Sequence, residues 1–166
     1  TDFVKASPEA KQDLTTLLQR EQVDLYQNKL SNTFVAPLNT EIEAFASALT
    51  YLQAYLKQPH SFKLQEAAGY LKQANYRLEL LNNGRYVVLR ENAPIHGWGL
   101  YVIDTQATSE LALGIPAPLD ENGTFDAGVI LFNGFAARSL AISGSRRKHY
   151  SDVSADVLKS QQSFFQ

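Results

Sequence analysis

Apolar residues recur at helical spacing through the first half of the chain. Leu14, Leu17, Leu18 and Leu25 form one stripe with Val23, Tyr26 and Leu30 beside it, and Gln, Asp and Thr fill the opposite face. Ahead of them, Ser7-Pro8-Glu9 has the form of a helix start: Ser as N-cap, Pro at the first helical position, Glu near the positive end of the dipole. The stretch 32–38 breaks the period, and Pro37 forbids a continuous helix there. A second helix is predicted from Thr40, with Thr40 and Glu43 at capping-box spacing and Ile42, Phe45, Ala46, Leu49, Leu52 and Leu56 on one face. Pro59 stops it. A third spans 61–73, with Leu64, Ala67, Ala68 and Leu71 inward.

The second half changes period. Residues 76–81 and 85–90 are strand-prone and flank Asn82-Asn83-Gly84, in which Asn83-Gly84 tolerates the positive φ of a tight hairpin. Gly97-Trp98-Gly99 leads into a third strand over 100–103, ended by Asp104. The run 111–115 is nearly all apolar and predicts a fourth, internal strand. A loop follows over 116–123, then a short helix capped by Thr124 and carrying Phe125, Val129, Leu131 and Phe132, ended by Gly134. A buried strand over 139–143 comes last. Strand, loop, helix and strand across 111–143 predict a βαβ unit with parallel neighbours. The expected fold class is thus α+β or α/β. A helical segment (1–75) precedes a small mixed sheet region (76–166), the two packing as one domain. The last parallel strand lies so near the end that the sheet reads as cut short.

Composition narrows the function classes. The chain has 166 residues, 45% of them apolar and 19% charged, which fits one globular domain and excludes disordered and collagen-like readings. Fifteen Lys+Arg against seventeen Asp+Glu leave a net charge of −2, so there is no global pull toward nucleic acid or anionic membrane. No window reaches the run of about 18 apolar residues that a membrane span needs. Cysteine is absent, which removes disulfides, thiol nucleophiles and Cys-type zinc sites. Methionine is absent too and the first residue is Thr1, which suggests a processed or trimmed product; that fits an exported protein, periplasmic or extracellular, whose signal has been removed, and equally a cytoplasmic chain cut at that point.

Candidate chemistry lies in the two loops that follow the parallel strands, because open α/β sheets bind ligands outside the carboxyl ends of their strands. The first holds Asp120 and Glu121, with Thr124 opening a helix whose amides suit an anion. The plainer reading is turn chemistry with Thr124 as a cap. The second holds Arg146, Arg147 and His149. Its guanidinium forks suit a carboxylate or phosphate, against the plainer reading of a solvated basic loop. His60, His96 and His149 show no metal-ligand spacing, and His96 is expected to cap or pack beside Trp98. Gly97-x-Gly99 precedes a strand rather than a helix, the wrong setting for a dinucleotide turn. The tyrosines and Trp98 sit at positions where core packing explains them better than a sugar-binding stack.

The order of hairpin, third strand, apolar strand, acidic loop, helix and strand over about residues 76–150 resembles the opening of the zinc carboxypeptidase and poly-γ-glutamate hydrolase type of α/β fold. That group carries a metal-binding His in the loop after the internal strand and an acidic residue three positions later. Here Ile115-Pro116-Ala117-Pro118-Leu119-Asp120 has the same layout, and 137–144 looks like the following strand. Ala117 stands in the His slot and cannot coordinate zinc, so the resemblance implies a degenerate or partial relative without the metal. The expectation is a non-catalytic, hydrolase-like domain of an exported bacterial envelope protein that acts as a binding or assembly module and needs no cofactor. Asp120, Glu121, Thr124, Arg146, Arg147 and His149 would face an anionic small molecule or a peptide or polymer ligand. The alternatives are a hydrolase of γ-glutamyl or peptide substrates using the same loops, and a structural module that pairs with itself or a protein partner.

Overall fold

A computed structural model describes residues 13–27, 34–147, 155–156 and 164. The helix start at Ser7-Pro8-Glu9, as well as Leu30 and His149, lies outside them. Helix α1 (Leu14–Gln27) begins after Asp13, whose carboxylate accepts the Thr16 N–H at 2.8 Å, so among the described residues an Asp makes the cap. Asn82, in the left-handed region at φ 49°, also accepts the Leu14 N–H at 3.0 Å and ties this helix to the hairpin turn.

Helix α2 (Asn39–Lys57) starts one residue before the sequence suggests. Pro37 holds the chain extended, Leu38 stays extended, and Glu41 rather than Glu43 reaches back to the Leu38 N–H at 2.7 Å. Its buried residues are Ala44, Phe45, Ala48 and Leu52, whereas Ala46 and Leu49 are exposed. The small Ala44 and Ala48 let α2 approach α3 closely, which turns the buried face away from Ala46 and Leu49. Helix α3 (Ser61–Gln73) buries Leu64, Ala67, Ala68 and Leu71 as expected, and His60 caps it by accepting the Phe62 N–H at 3.2 Å.

The sheet has five strands: β1 (Tyr76–Leu81), β2 (Tyr86–Glu91), β3 (Leu100–Asp104), β4 (Ala112–Ile115) and β5 (Ser139–Ile142), in spatial order β1-β2-β3-β5-β4. All neighbours are antiparallel except β4 and β5. Helix α4 (Thr124–Gly134) connects that parallel pair, completing the expected βαβ unit in a mixed α+β fold. The apolar run 111–115 is an edge strand, not an internal one. Ile115 is buried and Leu113 packs inward beside α4, while Ala112 and Gly114 are exposed. The edge position of β4 follows from pairing with β5 alone, and the alternation of the pleat puts Leu113 and Ile115 on the packed face and Ala112 and Gly114 on the other.

Two apolar layers sandwich the sheet. On one face α2 and α3 pack on Tyr76, Leu78, Val87 and Leu89, with Phe45 wedged 5.1 Å from the Tyr76 ring, 5.2 Å from Tyr101 and 4.6 Å from Phe164. On the other, α1 and α4 bury Leu14, Leu17, Leu18, Phe125 and Phe132 against Val88, Val102, Leu140 and Ile142. Each large side chain buried this way contributes roughly 1.5–3 kcal/mol, so both helical pairs are held by the sheet rather than by their own propensity. None of the described helices is long and apolar enough to cross a membrane.

Candidate functional site

The topology gathers one edge of the sheet. Strand β3 is antiparallel to both β2 and β5, so β2, β4 and β5 run the same way and end together. The loops 92–99, 116–123 and 143–147 therefore converge, beside the start of β1.

The two loops singled out from sequence meet and satisfy each other. The Asp120 carboxylate accepts the Arg147 N–H at 2.8 Å and lies 3.7 Å from the Arg146 guanidinium. Arg146 donates to the Leu119 carbonyl at 3.0 Å. Arg147 pairs with Glu121 at 3.3 Å and with the buried Asp156 at 3.3 Å. Thr124 is not the N-cap: Gly123 takes that place at φ 84°, a left-handed conformation that suits Gly. The Thr124 hydroxyl instead donates to the Glu121 carbonyl at 2.8 Å. Asp120, Glu121, Arg146 and Arg147 are thus tied mainly to one another and to the backbone.

The zinc of the hydrolase group that the sequence resembles would find no side-chain ligand at Ala117. Ala117 is 1% exposed, and its carbonyl accepts the N–H groups of Asp120 and Glu121 at 3.2 and 3.1 Å, closing a turn. A buried methyl occupies the ligand slot, and Asp120 is already bonded. Among the described residues no cluster of three or more His, Asp or Glu could hold a metal.

A cleft of about 320 Å³ opens at the same sheet edge, between α1, the β1–β2 hairpin, loop 92–99 and the end of β5. Its apolar side is made by Leu25, Ile95, Leu100, Phe125 and Ile142. Its polar side presents Glu21 and Asp24 from α1, Arg77 from β1, and Arg90 and Glu91 from β2. Arg90 pairs with Glu21 and lies 3.4 Å from Glu79. Arg77 donates Nε to Glu79 at 2.7 Å and Nη1 to the Glu91 carbonyl at 2.5 Å. Arg77, Glu79 and Arg90 lie on the sheet face that α1 covers, because odd residues of β1 and even residues of β2 share that face.

Glu91 anchors the loop that forms one wall. Only 8% exposed, it accepts the His96 N–H at 2.8 Å through Oε1, and those of Trp98 and Gly99 at 2.9 and 3.4 Å through Oε2. Burial pushes its carboxyl above the usual range, and the three N–H donors offset only part of that rise. The loop is pinned further by Asn75, which donates to the carbonyls of Asn92 and Pro94 at 3.1 Å, and by Trp98 Nε1, which donates to Val35 O at 2.6 Å. His96 packs its ring 4.5 Å from Trp98, the packing role anticipated for it. Gly99 (φ 99°) passes so close to β5 that a Cβ there would lie 2.2 Å from the Ile142 carbonyl oxygen.

Of the candidate site residues, Asp120, Glu121, Thr124, Arg146 and Arg147 do not line this cleft, and His149 lies outside the described residues. The charged groups of the cleft come from α1 and from the β1–β2 hairpin, far apart in the chain. The one local signal was Gly97-x-Gly99, whose glycines mark close backbone approach rather than a nucleotide turn. No protein-family model matches the chain, and neither does any curated protein or solved structure.

Proposed function

We propose that this domain is a non-catalytic binding module on a hydrolase-like α/β scaffold, and that the cleft at the carboxyl edge of the sheet is where it takes a small ligand. The observation that carries the reading is the cleft itself: about 320 Å³, apolar on one side and charged on the other, against a pinned loop. That combination of an apolar body with a few placed polar groups is the ordinary form of a small-molecule site. The mutual pairing of Asp120, Arg146 and Arg147 supports a scaffold rather than a reacting centre, since a general base or anion clamp needs groups left for substrate. The resemblance to zinc hydrolases, with Ala117 in place of a ligand, points the same way and extends the proposal to an exported envelope setting, which cell fractionation checks.

The test is a ligand screen by protein-observed NMR, with shifts expected at Leu25, Ile95 and Gly99. Stoichiometric zinc together with hydrolysis of a γ-glutamyl peptide would overturn the non-catalytic reading.

Assembly is a second reading with its own observation. Helix α4 exposes Ile130 (69%) and Leu131, and its C-cap residue Phe135 (60%) is exposed after them, next to the edge strand β4. Sedimentation at increasing concentration tests it; a monomer throughout that binds no protein partner removes it.

A further inference from the structure

We infer that the assembly partner is a second copy of this chain: two β4 strands pair antiparallel across a twofold axis, and the two α4 helices pack side by side above them. The inference rests on the assembly reading above and names its partner. Strand β4 has β5 on one side and, among the described residues, no strand on the other. Its odd residues bond to β5. The Leu111 carbonyl accepts the Arg138 N–H at 2.8 Å, and the Ile115 carbonyl accepts the Ser143 N–H at 3.0 Å. The N–H and C=O groups of Ala112 and Gly114 therefore point to the open edge, in place for another strand.

Helix α4 presents apolar surface over that same edge. Phe125 and Phe132 face the sheet, and Gly128 sits so near β4 that a Cβ there would lie 2.3 Å from the Ile115 side chain. Helix α1 lies over β1 and β2, and its Gln22 donates to Asp126 at 2.9 Å. That bond fixes the flank of α4 that looks toward the middle of the sheet. At about 100° per residue, Leu131 and the C-cap Phe135 fall on the opposite flank, above the open edge of β4. Leu111 joins them, because the pleat puts it on the α4 face with Leu113 and Ile115. Beyond residue 62, Leu111, Ile130, Leu131 and Phe135 are the exposed large apolar residues among those described, and all lie at this edge.

Charge and spacing point to a second copy as the occupant. A twofold contact sets each residue near its own counterpart, so a charge close to the axis meets its own sign. Residues 111–119 and 127–137 carry no charge, which makes this surface compatible with itself. Each α4 sits over its own β4–β5 pair, so joining the strands sets the helices about two strand spacings, or about 10 Å, apart. Packed helices lie about 8–10 Å apart. An extended peptide would pair with the strand and leave Leu131 and Phe135 uncovered; a second copy covers both.

Sedimentation equilibrium and amide hydrogen exchange on the full chain test this. Wild type should dimerise with rising concentration, and the Ala112 and Gly114 amides should become protected as it does. Leu131→Lys and Leu131→Glu should each weaken the dimer at least about tenfold, and mixing the two should restore it. Asn133→Lys, the same added charge on the α1 flank of the helix, should leave association unchanged. Phe135→Lys provides a second variant should either change at Leu131 lower the Tm enough to unfold the chain. A dimer that survives Leu131→Lys, or one whose Ala112 and Gly114 amides exchange as fast as in the monomer, overturns this arrangement and leaves the assembly reading standing. A chain monomeric up to about 1 mM overturns the dimer, and the assembly reading falls with it unless a different protein is bound.

Discussion

Gly99 is the point where the wall of the cleft touches the sheet, and replacing it with alanine separates two costs that are usually confounded. Its φ of 99° is one that side-chain-bearing residues rarely adopt, and an added Cβ would sit 2.2 Å from the Ile142 carbonyl oxygen and 3.2 Å from the Gly144 nitrogen. An ordinary carbon–oxygen contact is about 3.3 Å, so the overlap is about 1 Å. Ile142 cannot retreat, because it is paired with Leu100 of β3 on one side and Ile115 of β4 on the other. The positive φ costs about 1–2 kcal/mol and the overpacking a further 1–3 kcal/mol, so Gly99→Ala should lose about 2–5 kcal/mol. Gly84 is the internal control: its φ is 84° and nothing lies within 4 Å of a Cβ there, so Gly84→Ala should lose only about 1–2 kcal/mol. Urea denaturation of the three proteins measures both values. For a loss of ~3 kcal/mol the Tm should fall by roughly 6–12 °C in a chain of this size. Equal losses in the two variants, within about 0.5 kcal/mol, would refute the close approach of loop 92–99 to β5 and with it the shape of the cleft.

Two further predictions concern buried charge. Burial raises the Glu91 carboxyl above its usual 4.5, so the folded state holds that proton more tightly than the unfolded one. The stability Glu91 contributes is therefore fully present below pH 4.5 and declines as pH rises through the raised value. The difference in unfolding free energy between wild type and Glu91→Gln should fall over that window, and a difference that is flat or rises with pH sinks the assignment. Arg85 grips the buried Asp104 through Nε at 3.2 Å and Nη2 at 2.9 Å, while Gln106 N–H supplies a third bond at 2.9 Å. Arg85 is 43% exposed, so solvent screens part of the pair, and Arg85→Ala should cost about 1–3 kcal/mol in chemical denaturation. Adding Asp104→Asn should recover part of that loss; a double variant no more stable than Arg85→Ala alone would show that the stranded charge is not its source.

The helices and the hairpin were legible because their signals are local. Leu64, Ala67, Ala68 and Leu71 repeat at the helical period, and their burial follows from that repeat alone. Asn82, Asn83 and Gly84 all carry positive φ, which their small polar or absent side chains permit. The βαβ unit was legible from the order of apolar runs and the Pro- and Gly-bearing loop between them. The inward face of α2 was not, because Ala44 and Ala48 are buried by the approach of α3, and Ala46 and Leu49 match the same period almost as well. Nor was the edge position of β4: an apolar strand reads alike whether one strand or two pair alongside it.

The candidate site divides the same way. Asp120 and Arg146 were recognisable as loop residues after two parallel strands, yet only their meeting shows that each occupies the other. The cleft left no contiguous trace, since Glu21, the Arg77–Glu91 hairpin and Ile142 come together only when the sheet assembles and α1 folds over it. Periodicity and turn chemistry act within a few residues, so they are written in the chain and determine its helices, its hairpin and its class. Which charges face a cavity and which cancel depends on strand order and helix placement. These are set by many weak contacts between distant residues, and here they pair the two loops the sequence favoured with each other and open a cleft between α1 and the loop that Glu91 holds.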